Sequence, residues 1–301
     1  MLNVNTESTA DGVDVRLGIT RREFTALALA AGVAAAGSSL AATETMPVAE
    51  ADVRIQAPAG VCDAALSHPQ GSGRWPAVIM YPDVFGLRPV MREMARRLAA
   101  DGFAVLVPNP FYRSTVAPGL GPDFDFNSAA DRAKLDALRA PLTGDAIAQD
   151  AAALVGFLDS QACVDARRKV GAVGYCFGGS MTMLTAAAVP DRIGAAAAFH
   201  GGNGLATDKS DSPHLLVPKM KARFYFGIAG SDDEKDPMTK TRLAEAFQAA
   251  RLSAEIEVYT GTMHGWCMKD AHVTAGHPVY DAAEAARAWR KLEQLFKLAL
   301  V

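Results

Sequence analysis

The sequence predicts an α/β fold in which a mainly parallel central sheet carries helices on both faces. Two observations support this prediction. From Val53 onward, short apolar runs typical of strands alternate with longer stretches of helical pattern, as expected for parallel strands joined by helices. The 301 residues are 50% hydrophobic and 21% charged, which excludes a disordered, collagen-like or low-complexity chain.

Eight short segments are predicted to be strands, because each is rich in apolar or β-branched residues and is bounded by turn-forming residues. They cover residues 53–57, 64–67, 77–81, 104–107, 170–173, 195–200, 223–228 and 256–259. Five longer segments are predicted to be helices, at residues 89–100, 144–159, 178–188, 237–250 and 281–298. In the last helix, apolar residues recur about every 3.6 positions and are expected to face the core, at Ala285, Trp289, Leu292, Leu295 and Phe296.

One long stretch, residues 112–141, shows no clear pattern and is rich in proline, glycine and aspartate. We expect it to be an excursion over the carboxyl edge of the sheet. Ligands bind at that edge in open α/β folds, so the excursion is expected to contribute to a binding site.

The charge balance favours a small-molecule substrate. The chain has 30 basic and 33 acidic residues, a formal net charge of -3, and therefore no electrostatic footprint for nucleic acid. Its four cysteines are too few for a disulfide scaffold, and no pairing among Cys62, Cys163 and Cys267 is assigned.

The N-terminal region differs from the rest of the chain. Arg21 and Arg22 precede a small, apolar run at residues 25–37, and together they resemble a twin-arginine export signal. The run is too short to span a membrane. We therefore expect a signal at residues 1–42, a linker at 43–52 and a periplasmic protein. The alternative is a fortuitous arginine pair before an alanine-rich helix, in a cytoplasmic protein.

The clearest chemical motif is a strand that runs into a glycine-rich turn and then a helix, with the sequence Gly174-Tyr175-Cys176-Phe177-Gly178-Gly179. It predicts a nucleophile elbow with cysteine in place of the usual serine. The tight turn requires small residues two positions before and two after the nucleophile, where Gly174 and Gly178 stand. Cys176 would lie at the amino end of a helix, where backbone dipoles stabilise a thiolate. The alternative is a buried structural cysteine.

A nucleophile elbow predicts an acid and then a histidine, each after a later strand. Asp232 follows the strand at 223–228, and His264 follows the strand at 256–259. His264 would take the thiol proton, and the acid would hold the imidazole in the right tautomer. Asp233 is the alternative acid. Neither loop has the spacing of a recognisable metal site.

Four ordered motifs together resemble the dienelactone hydrolase family, from about Val53 to the C-terminus. They are Tyr-Pro-Asp-Val-Phe-Gly-Leu at 81–87, Leu-Ala-Ala-Asp-Gly-Phe-Ala-Val-Leu-Val-Pro-Asn at 98–109, the elbow at 174–179, and the loops that carry Asp232 and His264. The resemblance implies a single domain of the α/β-hydrolase fold, residues 53–301, that needs no cofactor. It also implies cleavage of a small ester or lactone by a Cys176, His264 and Asp232 triad, through a thioester.

The same resemblance implies an oxyanion hole formed by the backbone amides of Phe177 and Val84. Three side chains are expected to contact the substrate or to activate the thiol, namely Asp83, Phe85 and Trp266. The sequence departs from the family pattern in three places. Asp83 replaces a glutamate that helps to ionise the cysteine, Met268 with Lys269 stands where an arginine binds the substrate carboxylate, and a second arginine is matched only by Arg132.

Two other functions are compatible with these residues. One is a ligand-binding or redox-sensing module in which Cys176 does not turn over, although a sensor has no need of a general base. The other is an acyltransferase, which differs from a hydrolase only in the acceptor that reaches the thioester. The expected partner in each case is a small molecule, and the chain is expected to act as a monomer.

Overall fold

Eight strands form one sheet in the part of the chain that the structure describes, which is residues 46–121, 123–271 and 278–301. In this computed structural model they are β1 (Val48–Ala57), β2 (Gly60–Pro69), β3 (Ala77–Tyr81), β4 (Ala104–Pro108), β5 (Val170–Tyr175), β6 (Ile193–Phe199), β7 (Arg223–Ala229) and β8 (Ala254–Tyr259). The strand order is β1-β2-β4-β3-β5-β6-β7-β8.

The sheet is parallel from β4 to β8 and antiparallel only where β2 meets β1 and β4. This arrangement confirms the predicted mainly parallel sheet, and all eight predicted strands coincide with observed ones. Because the parallel strands run in one direction, β3, β5, β7 and β8 all end at the same edge.

The described helices are α1 (Pro89–Ala100), α2 (Ala129–Arg139), α3 (Gly144–Ser160), α4 (Gly178–Ala188), α5 (Gly230–Lys235), α6 (Met238–Ala250) and α7 (Ala282–Leu300). Helices α3, α4 and α6 pack on one face of the sheet, and α1 and α7 pack on the other. Each face of the sheet has its own hydrophobic core, and alternate residues of β3 point into the two cores. Ile79 packs on the side of α3, α4 and α6, and Val78 packs on the side of α1 and α7. The predicted inward positions Trp289, Leu292 and Phe296 of α7 are buried.

Two boundaries differ from the sequence prediction. The linker expected at residues 43–52 is wrong from Val48 onward, because β1 begins there and pairs with β2 over its whole length. Glu50 and Asp52 of this edge strand form ion pairs with Arg92 of α1. These charged residues make the start of the strand polar, so it lacks the apolar pattern from which a strand is predicted. Asp232, which was expected in a loop, lies instead within the short helix α5.

The excursion at 112–141 contains a helix that the sequence pattern did not reveal, α2. Ser128 caps its amino end by accepting a hydrogen bond from the amide of Asp131 at 3.3 Å. Leu135 is the buried residue of this helix, so there is little apolar periodicity to detect. Leu135 packs with Val84 against Cys176 and Phe177, which places α2 beside the elbow.

The predicted export signal at residues 1–42 lies outside the described residues. Among the described helices, none is both long and apolar enough to cross a membrane.

Candidate active site

The residues predicted to do chemistry come together at the carboxyl edge of the sheet. Cys176 follows β5, Asp232 follows β7 and His264 follows β8, while Asp83 and Val84 follow β3. Cys176, His264, Asp83 and Val84 line one cavity of about 670 Å³. Ligands bind at this edge in open α/β folds, so the cavity is the candidate active site.

The turn after β5 has the geometry of a nucleophile elbow. Cys176 has a φ of 55°, in the left-handed region that a side chain other than glycine rarely occupies. A Cβ atom at Gly174 would lie 2.0 Å from the carbonyl oxygen of Gly178, and one at Gly178 would lie 2.7 Å from that of Tyr81. Both positions therefore require glycine. Their closeness lets the turn pack against the end of β3 and holds Cys176 in its strained conformation.

Two backbone amides beside Cys176 are available as donors. The N–H groups of Val84 and Phe177 donate to no acceptor among residues 46–121, 123–271 and 278–301. Both side chains belong to the apolar cluster that packs around Cys176. Since unpaired amides at a strand end and a helix amino end suit a developing negative charge, these are the donors that an oxyanion would need.

His264 is held by Asp232. The Nδ1 atom of His264 lies 2.8 Å and 3.0 Å from the two carboxylate oxygens of Asp232, and its backbone amide donates to Ser231 Oγ at 2.9 Å. Burial lowers the pKa of His264, but hydrogen bonding and attraction from Asp232 and Cys176 outweigh burial and raise the pKa to about 10. Asp233 points elsewhere and pairs with Lys240 at 2.6 Å. Of the two candidate acids, Asp232 is the one that contacts the imidazole.

A second histidine, which the sequence pattern did not assign to the site, is hydrogen-bonded to the backbone of the elbow. His200 also lines the cavity, and its Nδ1 accepts a hydrogen bond of 3.1 Å from the amide of Cys176. Burial and the nearby His264 hold the pKa of His200 well below its usual range, so this ring is neutral and carries its proton on Nε2. The only sequence signal was its position at the end of a strand, before Gly201.

Apolar side chains form most of the cavity wall. They come from the segment after β3, from the excursion and from the segment after β8, and include Val84, Phe85, Leu120, Leu135, Met268 and Val279. Phe126 of the excursion is 48% exposed, and its ring contacts that of Phe85 edge to face, with centroids 5.9 Å apart. The cavity is therefore suited to a substrate with an apolar part.

The carboxylate of Asp83 is engaged by hydrogen bonds from Arg88 and from the backbone of Phe85. Its two carboxylate oxygens accept hydrogen bonds of 2.7 Å and 2.9 Å from Arg88, and the amide of Phe85 donates to one of them. Arg88 also forms two hydrogen bonds with Asp270, of 2.7 Å and 2.9 Å. Asp83 is thus tied into an ion-pair cluster in the cavity wall.

Several other candidates lie away from the cavity. Trp266 is fully buried behind His264, where it packs on His200 and Tyr259, so its expected place in a substrate pocket is wrong. Arg132 donates to two backbone carbonyls of the excursion, and Lys269 pairs with Glu93 on the surface.

The described cysteines form no disulfide bond. All four are free, and Cys62 is buried. Over the described part of the chain, no three histidine, cysteine or acidic side chains form a group that could hold a metal ion.

Comparisons with known proteins place the chain in a family. The model of the dienelactone hydrolase family matches residues 62–300. A "Putative carboxymethylenebutenolidase" of Synechocystis sp. is 27% identical over 239 residues, which cover 78% of this chain and 91% of the relative. A carboxymethylenebutenolidase of Pseudomonas sp. is 35% identical over 178 residues, covering 59% of this chain and 68% of the relative.

A solved structure described as a "Putative Dienelactone Hydrolase" of Klebsiella pneumoniae superimposes with a TM-score of 0.71 at 21% identity. The match covers 83% of this chain and 99% of the other. At this identity the likeness concerns the fold, and it confirms the expected α/β-hydrolase architecture. With the family model matching nearly the whole of the described sheet and the elbow, the chain belongs to the dienelactone hydrolase family.

Proposed function

We propose that this ester or lactone hydrolase works through a triad of Cys176, His264 and Asp232 and a thioester intermediate. The observation that carries the proposal is the position of His264, which is bonded to Asp232 through Nδ1 and interacts with the Cys176 sulfur in the same cavity. Because Nδ1 is occupied by Asp232, Nε2 is the nitrogen that serves the sulfur. A nucleophile, a base and an orienting carboxylate are thus arranged in series.

The raised pKa of His264 means that the imidazole carries a proton at neutral pH, next to the sulfur. In the first step the sulfur attacks the carbonyl carbon, and the carbon–oxygen bond to the leaving group breaks. His264 gives its proton to the departing oxygen, which for a lactone stays attached to the acyl chain. In the second step the neutral imidazole takes a proton from water, which attacks the thioester and releases the carboxylic acid; the acid then loses its remaining proton to solvent. The sulfur leaves and is again paired with protonated His264.

The oxyanion of each tetrahedral intermediate would lie between the amides of Val84 and Phe177. Their lack of an acceptor in the described structure supports this role, since a preorganised donor costs no rearrangement during reaction. Asp83 would not activate the thiol directly, because both of its oxygens are engaged by Arg88. It would instead shape the turn at residues 83–86 that presents the Val84 amide.

The test is hydrolysis of a panel of aryl esters and unsaturated lactones by the full chain, its Cys176→Ala variant and its His264→Ala variant. Saturable turnover that both substitutions abolish, with an acyl group on Cys176 detected by mass spectrometry after rapid quenching, would support the proposal. Turnover that survives Cys176→Ala would contradict it. If Cys176 is readily alkylated but no ester is cleaved, a sensing module fits better; if added alcohols or amines capture the acyl group in preference to water, the enzyme is an acyltransferase.

A further inference from the structure

We propose that the catalytic cavity selects uncharged, apolar esters or lactones and discriminates against substrates that carry a carboxylate. This inference rests on the proposed function and adds the substrate class to it. The observation behind this inference is that Arg88, a partly buried arginine of the cavity wall, has all of its hydrogen-bond donors occupied by the protein.

A guanidinium group has five N–H donors. In Arg88, Nε donates to Asp270, one terminal nitrogen donates to Asp83 and to the carbonyl of Gly86, and the other donates to Asp83 and to Asp270. The contact with Gly86 is 3.3 Å and the other four are 2.7 to 2.9 Å. No donor remains for a substrate, so a carboxylate could bind Arg88 only by displacing one that is already there.

Displacing Asp83 is unfavourable because its pair with Arg88 is largely buried. The side chains of Arg88 and Asp83 are 13% and 8% exposed. Removing Arg88 from Asp83 would leave a buried carboxylate without its partner, which costs more than an exposed pair could return. The side chain of Asp270 is 42% exposed, but a substrate carboxylate that took its place would only exchange one anion for another on the same guanidinium. The cluster of one arginine and two aspartates also carries a net charge of -1, which repels an anionic substrate.

Other cations near the cavity do not compensate for this charge. Arg139 lines the mouth without an ion-pair partner in the described structure, but it is exposed to solvent, where an ion pair contributes little. Met268 occupies the position where the family pattern has an arginine, and it is buried in the cavity wall. The charge of His264 is offset by Asp232, at 2.8 Å.

The remaining wall favours apolar groups. Phe85 and Phe126 present aromatic rings, Leu120 and Leu135 add aliphatic surface from the excursion, and Phe126 is half exposed at the mouth. Burying an apolar acyl chain or aryl ring against these side chains is favourable, whereas a carboxylate there would lose hydration without gaining a donor.

The experiment compares two substrates of equal chain length and leaving group, 4-nitrophenyl hexanoate and the 4-nitrophenyl monoester of adipate, with the uncatalysed rates subtracted. For the full chain we expect kcat/KM to be roughly tenfold or more higher for the neutral ester. Asp270→Ala frees two donors of Arg88 and removes a negative charge, so it should raise the ratio of adipate to hexanoate turnover. Asp208→Ala removes an exposed carboxylate that pairs with Arg242 outside the cavity, and it should leave the ratio unchanged.

Equal or faster turnover of the adipate ester by the unmodified chain would overturn the inference while leaving the proposed function intact. If neither ester is cleaved, the panel of esters and lactones decides the proposed function, and alkylation of Cys176 tests the inference separately. Peptide mapping would give the rate ratio of iodoacetate to iodoacetamide at Cys176. An increase of this ratio in Asp270→Ala, but not in Asp208→Ala, would support the inference, and an unchanged ratio would overturn it.

Discussion

The Nδ1 atom of His264 lies 2.8 Å from Asp232 Oδ2, whereas the neighbouring Asp233 lies 2.6 Å from Lys240 Nζ and makes no contact with the imidazole. Both acids belong to the short helix α5. Successive side chains of a helix point about 100° apart, so only one of two adjacent acids can face the histidine. This pair of residues provides a matched test of the triad.

Replacing Asp232 with asparagine should lower kcat for ester hydrolysis by about 10²- to 10⁴-fold, because the imidazole loses the carboxylate that sets its tautomer and stabilises its charge. Asp233→Asn is the matched control, because it makes the same substitution at the neighbouring residue. It should change kcat by less than about twofold. Steady-state kinetics of both variants on one aryl ester decides the matter. A larger loss in Asp233→Asn than in Asp232→Asn would rule out the assignment.

The pKa of His264 makes stability depend on pH in a defined direction. Its value in the folded chain, about 10, is above the ordinary 6.5, so the folded state holds this proton more tightly than the unfolded state does. The stabilisation is complete below about pH 6.5 and is lost as the pH rises toward 10. Urea unfolding at pH 6.5 and pH 10 should show a larger drop in unfolding free energy for the unmodified chain than for His264→Gln. Equal drops would contradict the raised pKa.

Replacing glycine with alanine should have opposite effects on stability at Gly174 and at Gly156. Gly174→Ala would place a methyl group 2.0 Å from the carbonyl oxygen of Gly178, so the elbow would have to distort. We expect a loss of more than about 3 kcal/mol in unfolding free energy, with little active protein recovered. Gly156→Ala, on the exposed side of α3 with no neighbouring atom within 4 Å, should gain about 0.5 to 1 kcal/mol. Chemical denaturation of both variants measures the contrast.

We propose that the arginine pair directs export of the folded protein to the periplasm. Cells that produce the full chain should contain a shortened form in the periplasmic fraction, and an Arg21→Lys, Arg22→Lys variant should stay in the cytoplasm at full length. Immunoblots of the two fractions report both size and location. Retention of the unmodified chain at full length in the cytoplasm would show that the arginine pair is fortuitous.

Local spacing in the sequence was enough to predict the elbow. The small residues at 174 and 178 form a motif that is readable from spacing alone. A Cβ atom at Gly174 would collide with the backbone of Gly178, four residues away, whereas one at Gly178 would collide with the backbone of Tyr81 at the end of β3, a contact that only the tertiary structure shows. The parallel sheet was predictable for a similar reason, since strand and helix periodicity is a property of short segments. The helix α2 was not predicted, because Leu135 is its one buried residue and a single buried position gives almost no apolar periodicity.

The sequence by itself determined the mainly parallel sheet and the candidate residues Cys176, Asp232 and His264 at the ends of its strands, because strand, turn and motif patterns are each set by residues within a few positions of one another. Only the tertiary structure decided which neighbours each side chain has. It buries Trp266 completely while His264 lines the cavity, although only Gly265 separates the two in the sequence. It also brings Asp270 to Arg88 across 182 residues of sequence, so that the hydrogen-bond donors of Arg88 are engaged by the protein itself. No local pattern encodes such a contact, because the packing of distant segments creates it.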